Sequence, residues 1–600
     1  MDYRRPSASE ERRECAFGFL IILGTWLILA WTAPRIPIVW DEGEYLFRAD
    51  EVVSWFRLLF SIHHPQGGMN AFSDAVIQHH WRFVRSVEGH PSWFAIPIAL
   101  GKALLSGPLH PLTAARLGPI TVFSVACGTV ALRLKRDYGT IAALVAPIAL
   151  LTLPRMFSDA HFAAQDGQLT AWWLLVFAAD ASPQRGMRTT LGVGILLGLT
   201  CATKFTGWFA VLPLIAWRAV TRDREACREL CVVLPIALLT FCAVNPPLWH
   251  APVVGLVEYF RLNFARPDSA VFGSGSSRSP AIDLRQYLVG SMHYGNDQPY
   301  LPWYNTIVWL AVATPLPTLV LGVIGLRHCS GTRVGTRCEA LPPSIWVSRV
   351  AWLPEPGLFA LILHWGTLMV VRALPGAPPN DGIRLFLPAF GFWCVLAGIG
   401  AGRVWSAASC ADGRFARRTA VGALLGGTFA AAAINEARYY PQTLSHYNLL
   451  VGGVRGAASI GMEPTYWWDA LDADVLDWLN SHTEAGARVA FSEGPAYNLA
   501  LLRGWGRLRT EISDPSWGIP FTWYVLQNRP STLTNPDRLL IRSEKPVFTK
   551  YAGHRARGVP ADLNVPLILV FSYEQYRAAA AKSIRSELPS GAPVPEKAGY

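Results

Sequence analysis

Carboxylates are scarce beside the apolar stretches of this chain, so the few places where they gather are where chemistry is to be sought. The run Trp40-Asp41-Glu42-Gly43-Glu44-Tyr45 sets three carboxylates within four residues. A second group runs from Arg155 through Asp159 and His161 to Asp166-Gly167-Gln168. Two carboxylates on one side of a membrane offer a defined kind of work. One takes a proton from an acceptor hydroxyl, and the other orients that base or holds a divalent cation. The same residues also read as helix starts, where acidic side chains cap free N–H groups and favour the helix dipole.

What positions these groups is a set of apolar runs. Hydrophobic residues make up 51% of the 600 and charged residues only 16%, against roughly a quarter in soluble proteins. The net charge of +11 is carried by arginines clustered between apolar runs. That is the signature of cytoplasmic loops rather than of a nucleic-acid-binding face. The run 16–33, preceded by Arg4, Arg5, Arg12 and Arg13, reads as a signal anchor with its amino end in the cytoplasm. Ten further runs follow at 113–132, 140–153, 169–181, 189–203, 205–219, 229–247, 303–326, 355–373, 384–402 and 419–436. About eleven crossings are expected. With that count, the connections Arg133–Arg136, Arg185–Arg188, Arg218–Arg228, Arg327–Arg349 and Arg403–Arg418 all fall in the cytoplasm, and each carries a basic cluster. The stretch 93–107 is then re-entrant or interfacial, because counting it as a crossing would reverse every later loop.

The ten cysteines agree with this topology, since none falls in 36–112, 246–302 or 437–600, the predicted outer segments. The first outer loop, 36–112, carries juxtamembrane helices, with an amphipathic stretch over 42–62. The second outer loop is 154–168. The third, 246–302, is Gly/Ser-rich around Gly273–Ser279 and reads as mobile. Residues 1–436 are expected to form a transmembrane domain that carries the candidate catalytic carboxylates. From 437 to 600, short β-like runs such as Arg488–Phe491 and Val565–Phe571 alternate with helical ones such as 469–481, predicting a small α/β domain outside the membrane. The expected fold is therefore an α-helical polytopic membrane protein with a small C-terminal extracytoplasmic α/β domain. A multi-pass protein of the bacterial inner (plasma) membrane fits these features.

Several motifs, taken in order and with this sidedness, resemble the GT-C superfamily of glycosyltransferases. The nearest likeness is to the family-39-like group of protein O-mannosyltransferases and lipid A aminoarabinose transferases. The motifs are the Asp41-Glu42 pair, Gly89-His90-Pro91-Ser92-Trp93, Ala115-Arg116-Leu117, Asp166, and Thr203-Lys204-Phe205-Thr206-Gly207. Further on come Tyr300-Leu301-Pro302-Trp303-Tyr304, Thr314-Pro315-Leu316-Pro317 and Asn380-Asp381-Gly382-Ile383-Arg384-Leu385-Phe386-Leu387-Pro388. The resemblance covers most of 16–436 and implies a reaction. A sugar is taken from a polyprenyl-phosphate donor in the bilayer and passed, with inversion, to an acceptor hydroxyl of a lipid, glycan or protein outside. It implies Asp41 as the base, Asp166 as the acidic residue of the second loop, and Arg116 on the lipid phosphate. Glu42 joins the catalytic set. Lys204, Arg384, Glu44, His90 and His161 are further substrate-binding candidates. A divalent cation, Mg or Mn, is an open cofactor, with Asp41 and Asp166 as its ligands if one is needed. The lysine that the aminoarabinose transferases carry in the first loop has no clear counterpart, although Arg85 and His90 occupy that region. No MIR-type repeat is visible.

Two other features bear on binding. The pairs His63, His64 and His79, His80 consist of adjacent residues that point apart, so chelation requires a partner from elsewhere. Ser445–Gly456 and Glu463–Asp469 are dense in aromatics, which suits either sugar stacking or packing of the outer domain. Two rival functions remain, a transporter or flippase for a lipid-linked or small polar substrate, and a non-catalytic scaffold. A transporter would want internal repeats and deeply buried charge within spans, and neither is evident.

Overall fold

The computed structural model describes residues 8–61, 70–81, 89–180, 186–221, 224–264, 285–294, 298–327, 356–379, 382–409, 414–484, 486–553 and 563–587. The chain divides into two compact units. The first comprises residues 1–34, 45–284 and 295–434, and the second 35–44, 285–294 and 435–600. The second unit thus joins the Asp41 turn and the 285–294 hairpin to the long segment that starts at Asn435.

The helices of the first unit, in chain order, are α1 (Ala8–Thr32), α2 (Glu42–Leu59), α3 (Asp74–His80), α4 (Ala95–Leu105), α5 (Pro111–Tyr138), α6 (Thr140–Leu151), α7 (Pro154–His161) and α8 (Gln165–Asp180). They continue with α9 (Met187–Cys201), α10 (Val211–Thr221), α11 (Arg224–Ala243), α12 (Pro252–Phe264), α13 (Asn305–Ala313), α14 (Leu316–Arg327), α15 (Pro356–Val371), α16 (Leu387–Ser409) and α17 (Arg414–Tyr439). Helix α2 opens, and α17 closes, within the second unit. Every apolar run read from sequence contains a helix. Among the described residues, four helical stretches are long and apolar enough to cross a bilayer, namely Ser9–Arg35, Pro111–Tyr138, Arg384–Ser409 and Arg414–Tyr439. A fifth is added if α6 and α7, bent by 75°, form one span. The other runs are shorter or interrupted, in several cases at proline. Thr314-Pro315 divides the run 303–326 into α13 and α14, because proline supplies no N–H and clashes with the preceding turn.

Packing separates helices that face protein from helices that face outward. Helix α16 is buried along most of its length, whereas α1 exposes Phe19, Leu20, Leu27 and Trp31. Such exposed apolar faces suit contact with lipid tails. Small residues let the inner helices approach closely. A side chain added at Gly400 would run into the Leu321 carbonyl of α14, and one at Gly118 into the Pro97 carbonyl of α4. Helix α4 spans only eleven residues and lies against α5. At the opposite end of α8, Arg218 grips Asp180 with both nitrogens, at 2.5 and 3.2 Å. The Gly/Ser-rich stretch 273–279 lies outside the described residues. The described parts of the third loop hold α12 and the hairpin β1 (Arg285–Leu288) and β2 (Ser291–Tyr294).

The second unit is built on five strands, β3 (Arg488–Phe491), β4 (Glu511–Ser513), β5 (Trp523–Gln527), β6 (Phe548–Tyr551) and β7 (Pro566–Ser572), in the order β4-β3-β5-β7-β6. β3 runs parallel to β4 and β5, while β7 is antiparallel to β5 and β6. The continuous apolar run of β7 is that of a strand covered on both faces. Its Leu569 and Phe571 pack with Ala490, Phe521, Tyr524, Leu526, Leu540 and Ala579. The helices α18 (Gly453–Ser459), α19 (Ala473–Ser481), α20 (Ala496–Gly504), α21 (Asn535–Ser543) and α22 (Tyr573–Glu587) complete the unit.

Candidate active site

In the first unit, Asp166 stands in the first turn of α8 and is 1% exposed. The preceding helix approaches closely here, because the Asp159 carbonyl of α7 lies where a side chain on Gly167 would project. One oxygen of Asp166 accepts from Lys204 Nζ at 2.5 Å and the other from Arg384 Nε at 2.8 Å. These cations come from distant parts of the chain. Lys204 sits between α9 and the 3-10 turn Phe205–Ala210, and Arg384 opens the 3-10 turn that leads into α16. Asp159 is buried near them, within the fields of Asp166, Arg384, Lys204 and Arg155. Arg155 lies over the ring of Trp309, 5.0 Å from its centre. Three cations thus share this region with two carboxylates. Gly382 is matched to it, with φ +56° and a missing side chain that would come within 2.8 Å of Arg155 Nη1.

Charge buried this deeply costs several kcal/mol per ion in desolvation, and ion pairing only partly offsets that cost. Among the described residues, the gathering of Lys204, Arg384 and Arg155 is therefore the informative feature, since fixed cations suit a region to an anion. Asp166 already carries two cations, so a divalent metal bound there would have to displace one.

Arg116 and His161 lie in a neighbouring set of contacts. Arg116 is fully buried, donates from Nη1 to the Ala33 carbonyl at 3.0 Å, and stands 5.9 Å from the centre of the Phe162 ring. It is held by the backbone just past the end of α1 and does not reach out to solvent from α5. His161 Nε2 lies 2.7 Å from Thr32 Oγ1, and its Nδ1 lies 2.6 Å from the Phe157 carbonyl. His90 is half-buried in the segment that leads into α4.

In the second unit, Asp41 lies in a turn between Trp40 and α2, half-buried. The turn is fixed on three sides. Glu42 closes it locally, its Oε2 accepting from the Val39 N–H at 3.0 Å. Trp40 N–H donates to the Trp467 carbonyl at 2.9 Å. Asn498, on α20, accepts from Gly43 N–H at 2.9 Å and donates to the Val39 carbonyl at 2.7 Å. Gly43 is needed for this, as a side chain there would overlap Asn498. Glu44 is half-buried one residue further on.

The aromatic segment forms the other wall of this turn. Trp467 and Trp468 both adopt left-handed backbone, φ +57° and +64°, and both are buried. Bulky residues rarely hold such backbone, and strain of this kind gathers at functional sites. Tyr447 bonds the Glu463 carbonyl at 2.7 Å and meets the Tyr466 hydroxyl at 3.1 Å. With Tyr447 and Tyr466 also buried, these rings are packing elements of the second unit.

The structure therefore brings Asp166, Lys204 and Arg384 together, and sets Asp41 in the turn before α2 with Glu42 and Glu44 in the first turn of that helix. Sequence reasoning missed Asn498, which is 455 residues from its partner, and nothing in the local sequence marks it. It also passed over Arg155 as a site residue, although a lone arginine within 154–168 was a usable signal.

No protein-family model matches the chain, and no curated protein matches it. Among solved structures it is similar to ArnT from Cupriavidus metallidurans in the apo state, at 13% identity and TM-score 0.48, covering 94% of this chain and 99% of that one. The same ArnT bound to undecaprenyl phosphate aligns at 12% identity and TM-score 0.44, covering 93% and 97%. The archaeal oligosaccharyltransferase AglB from Archaeoglobus fulgidus, in complex with an inhibitory peptide and a dolichol-phosphate, aligns at 10% identity and TM-score 0.42, covering 84% and 69%.

Proposed function

We propose that the chain is a multi-pass membrane glycosyltransferase that moves a sugar from a polyprenyl-phosphate donor to an acceptor hydroxyl on the outer face. The observation that carries this reading is the buried group of Lys204, Arg384 and Arg155 around Asp166 and Asp159. A leaving phosphate develops negative charge as the glycosidic bond breaks, and fixed cations in a dry site stabilise that charge most effectively. Arginine is always charged and fits phosphate in a bidentate manner, while lysine adds a compact point charge. Asp166 holds both cations in place before the donor arrives. It is therefore a positioning residue here, and the base is assigned elsewhere.

That base is Asp41, half-buried in a turn whose backbone is tied by Glu42 and Asn498. In this scheme it takes the proton of the acceptor hydroxyl, and transfer proceeds with inversion. Arg116, held against Ala33, contributes positive charge beside His161. No step of this scheme runs through a metal. The eleven crossings, the cytoplasmic amino terminus and the outer placement of 437–600 belong to the same proposal, supported by the arginine clusters and the cysteine pattern.

The test is to incubate purified protein with polyprenyl-phosphate sugars and follow sugar release. Wild type should release sugar, and Arg384→Gln should lose donor affinity. Release that is unaffected by loss of both Arg384 and Lys204 would remove the phosphate assignment.

A further inference from the structure

The first outer loop holds a second group of polar side chains that the transfer scheme does not use. Glu51 lies in the middle of α2, and His79 and His80 end α3. Neighbouring helix positions diverge by about 100°, so the histidine pair alone has no shared target. The fold supplies one. Glu51 Oε2 lies 2.9 Å from His80 Nδ1 and 3.7 Å from His79 Nε2. One ligand atom from each of the three residues falls within 4.8 Å of the others.

These separations match a specific ion. Zinc bound tetrahedrally at about 2.0–2.2 Å from nitrogen and carboxylate oxygen keeps neighbouring ligand atoms roughly 3.3 Å apart. The two observed Glu51–histidine separations lie on either side of that value, so small side-chain rotations would seat the ion. Two imidazoles and one carboxylate are zinc-type ligands, whereas magnesium and calcium prefer oxygen throughout. Three protein ligands leave the fourth position to water. His79 is 71% exposed, which leaves a path for entry. The frame is also rigid, because Trp55 of α2 donates from Nε1 to the Ala71 carbonyl at 2.8 Å and packs edge-on to Trp81. The neighbouring acid, Asp50, is engaged by Lys102 at 2.6 Å.

We propose that Glu51, His79 and His80 bind one Zn2+ and thereby clamp α3 onto α2. This inference stands on the local geometry and does not depend on the transferase reading.

The experiment is a titration of the full chain, stripped with a chelator and held in detergent, with Zn2+ against a chromophoric zinc indicator. One Zn2+ per chain is expected, with no displacement by Mg2+ at equal concentration. Glu51→Gln and His80→Ala should each weaken binding at least tenfold. His79→Gln, at an exposed position that folding does not depend on, should do the same, while His482→Gln in the second unit should leave binding unchanged. X-ray absorption of the bound ion should show an imidazole-containing shell that shrinks in His79→Gln. No stoichiometric zinc, or equal affinity in wild type and His79→Gln, would overturn the site.

Discussion

At the residue scale, Asp166 and Asp41 are carboxylates with different surroundings, and the proposed scheme gives them different roles. Asp166 is buried between Lys204 and Arg384, so neutralising it as Asp166→Asn leaves two buried cations without their anion. A loss of about 3–5 kcal/mol in stability is expected, as for other broken buried pairs, and a lowered thermal midpoint of the detergent-solubilised chain checks it. Asp41 is half-buried in a turn that Glu42 and Asn498 also tie, and asparagine keeps its shape, so Asp41→Asn should stay folded with a thermal midpoint near that of wild type. Removal of a general base lowers turnover by roughly 10²–10⁴-fold, and steady-state rates on the mutant measure that. Asn498 stands between these cases. Its replacement by Ala removes the partner of the Gly43 N–H and the Val39 carbonyl, at about 1–3 kcal/mol for each group left unsatisfied. Turnover should fall while donor KM stays near wild type, because the turn is loosened and the cation group is not.

At the element scale, glycine and proline decide where side chains can meet. Gly167→Val would drive α8 away from the Asp159 carbonyl and carry Asp166 with it. Transfer should fall at least tenfold although no charged group is altered, and donor-binding assays on the variant test this. Much of this architecture was legible beforehand. The arginine clusters marked the helix ends, and β3 was read at its observed bounds because a short apolar run flanked by turn residues has few alternatives. The Asp41 and Asp166 motifs were legible through residue type and sidedness. Asn498 was not legible, since an asparagine in a helix preceded by Gly494-Pro495 looks like any other and its partner is fixed by tertiary folding alone. Glu51 was hidden likewise: the histidine pair was visible, but the acid that faces it lies on another helix. The positive φ of Trp467 and Trp468 also had no sequence signal, as tryptophan is among the last residues expected there.

At the scale of the whole molecule, the topology read from arginines makes a prediction that chemistry on either side of the membrane can settle. Cys15 and Cys227 are exposed and belong to cytoplasmic segments on this reading. A membrane-impermeant maleimide should label them only in inverted vesicles, whereas Ser516→Cys, at an exposed position of the second unit, should be labelled in right-side-out cells. Opposite labelling would reverse the orientation and place Asp41 and Asp166 on the wrong side for an outward-facing sugar. The transferase reading then meets its most direct test in one assay. Purified wild-type protein and Asp41→Asn are incubated with a panel of polyprenyl-phosphate sugars, with and without divalent cations, and released or transferred sugar is measured. The account predicts transfer from at least one lipid-linked donor by wild type, and loss of that transfer in a fully folded Asp41→Asn. Full activity in Asp41→Asn, or no turnover of any lipid-linked sugar by folded wild type, would contradict it.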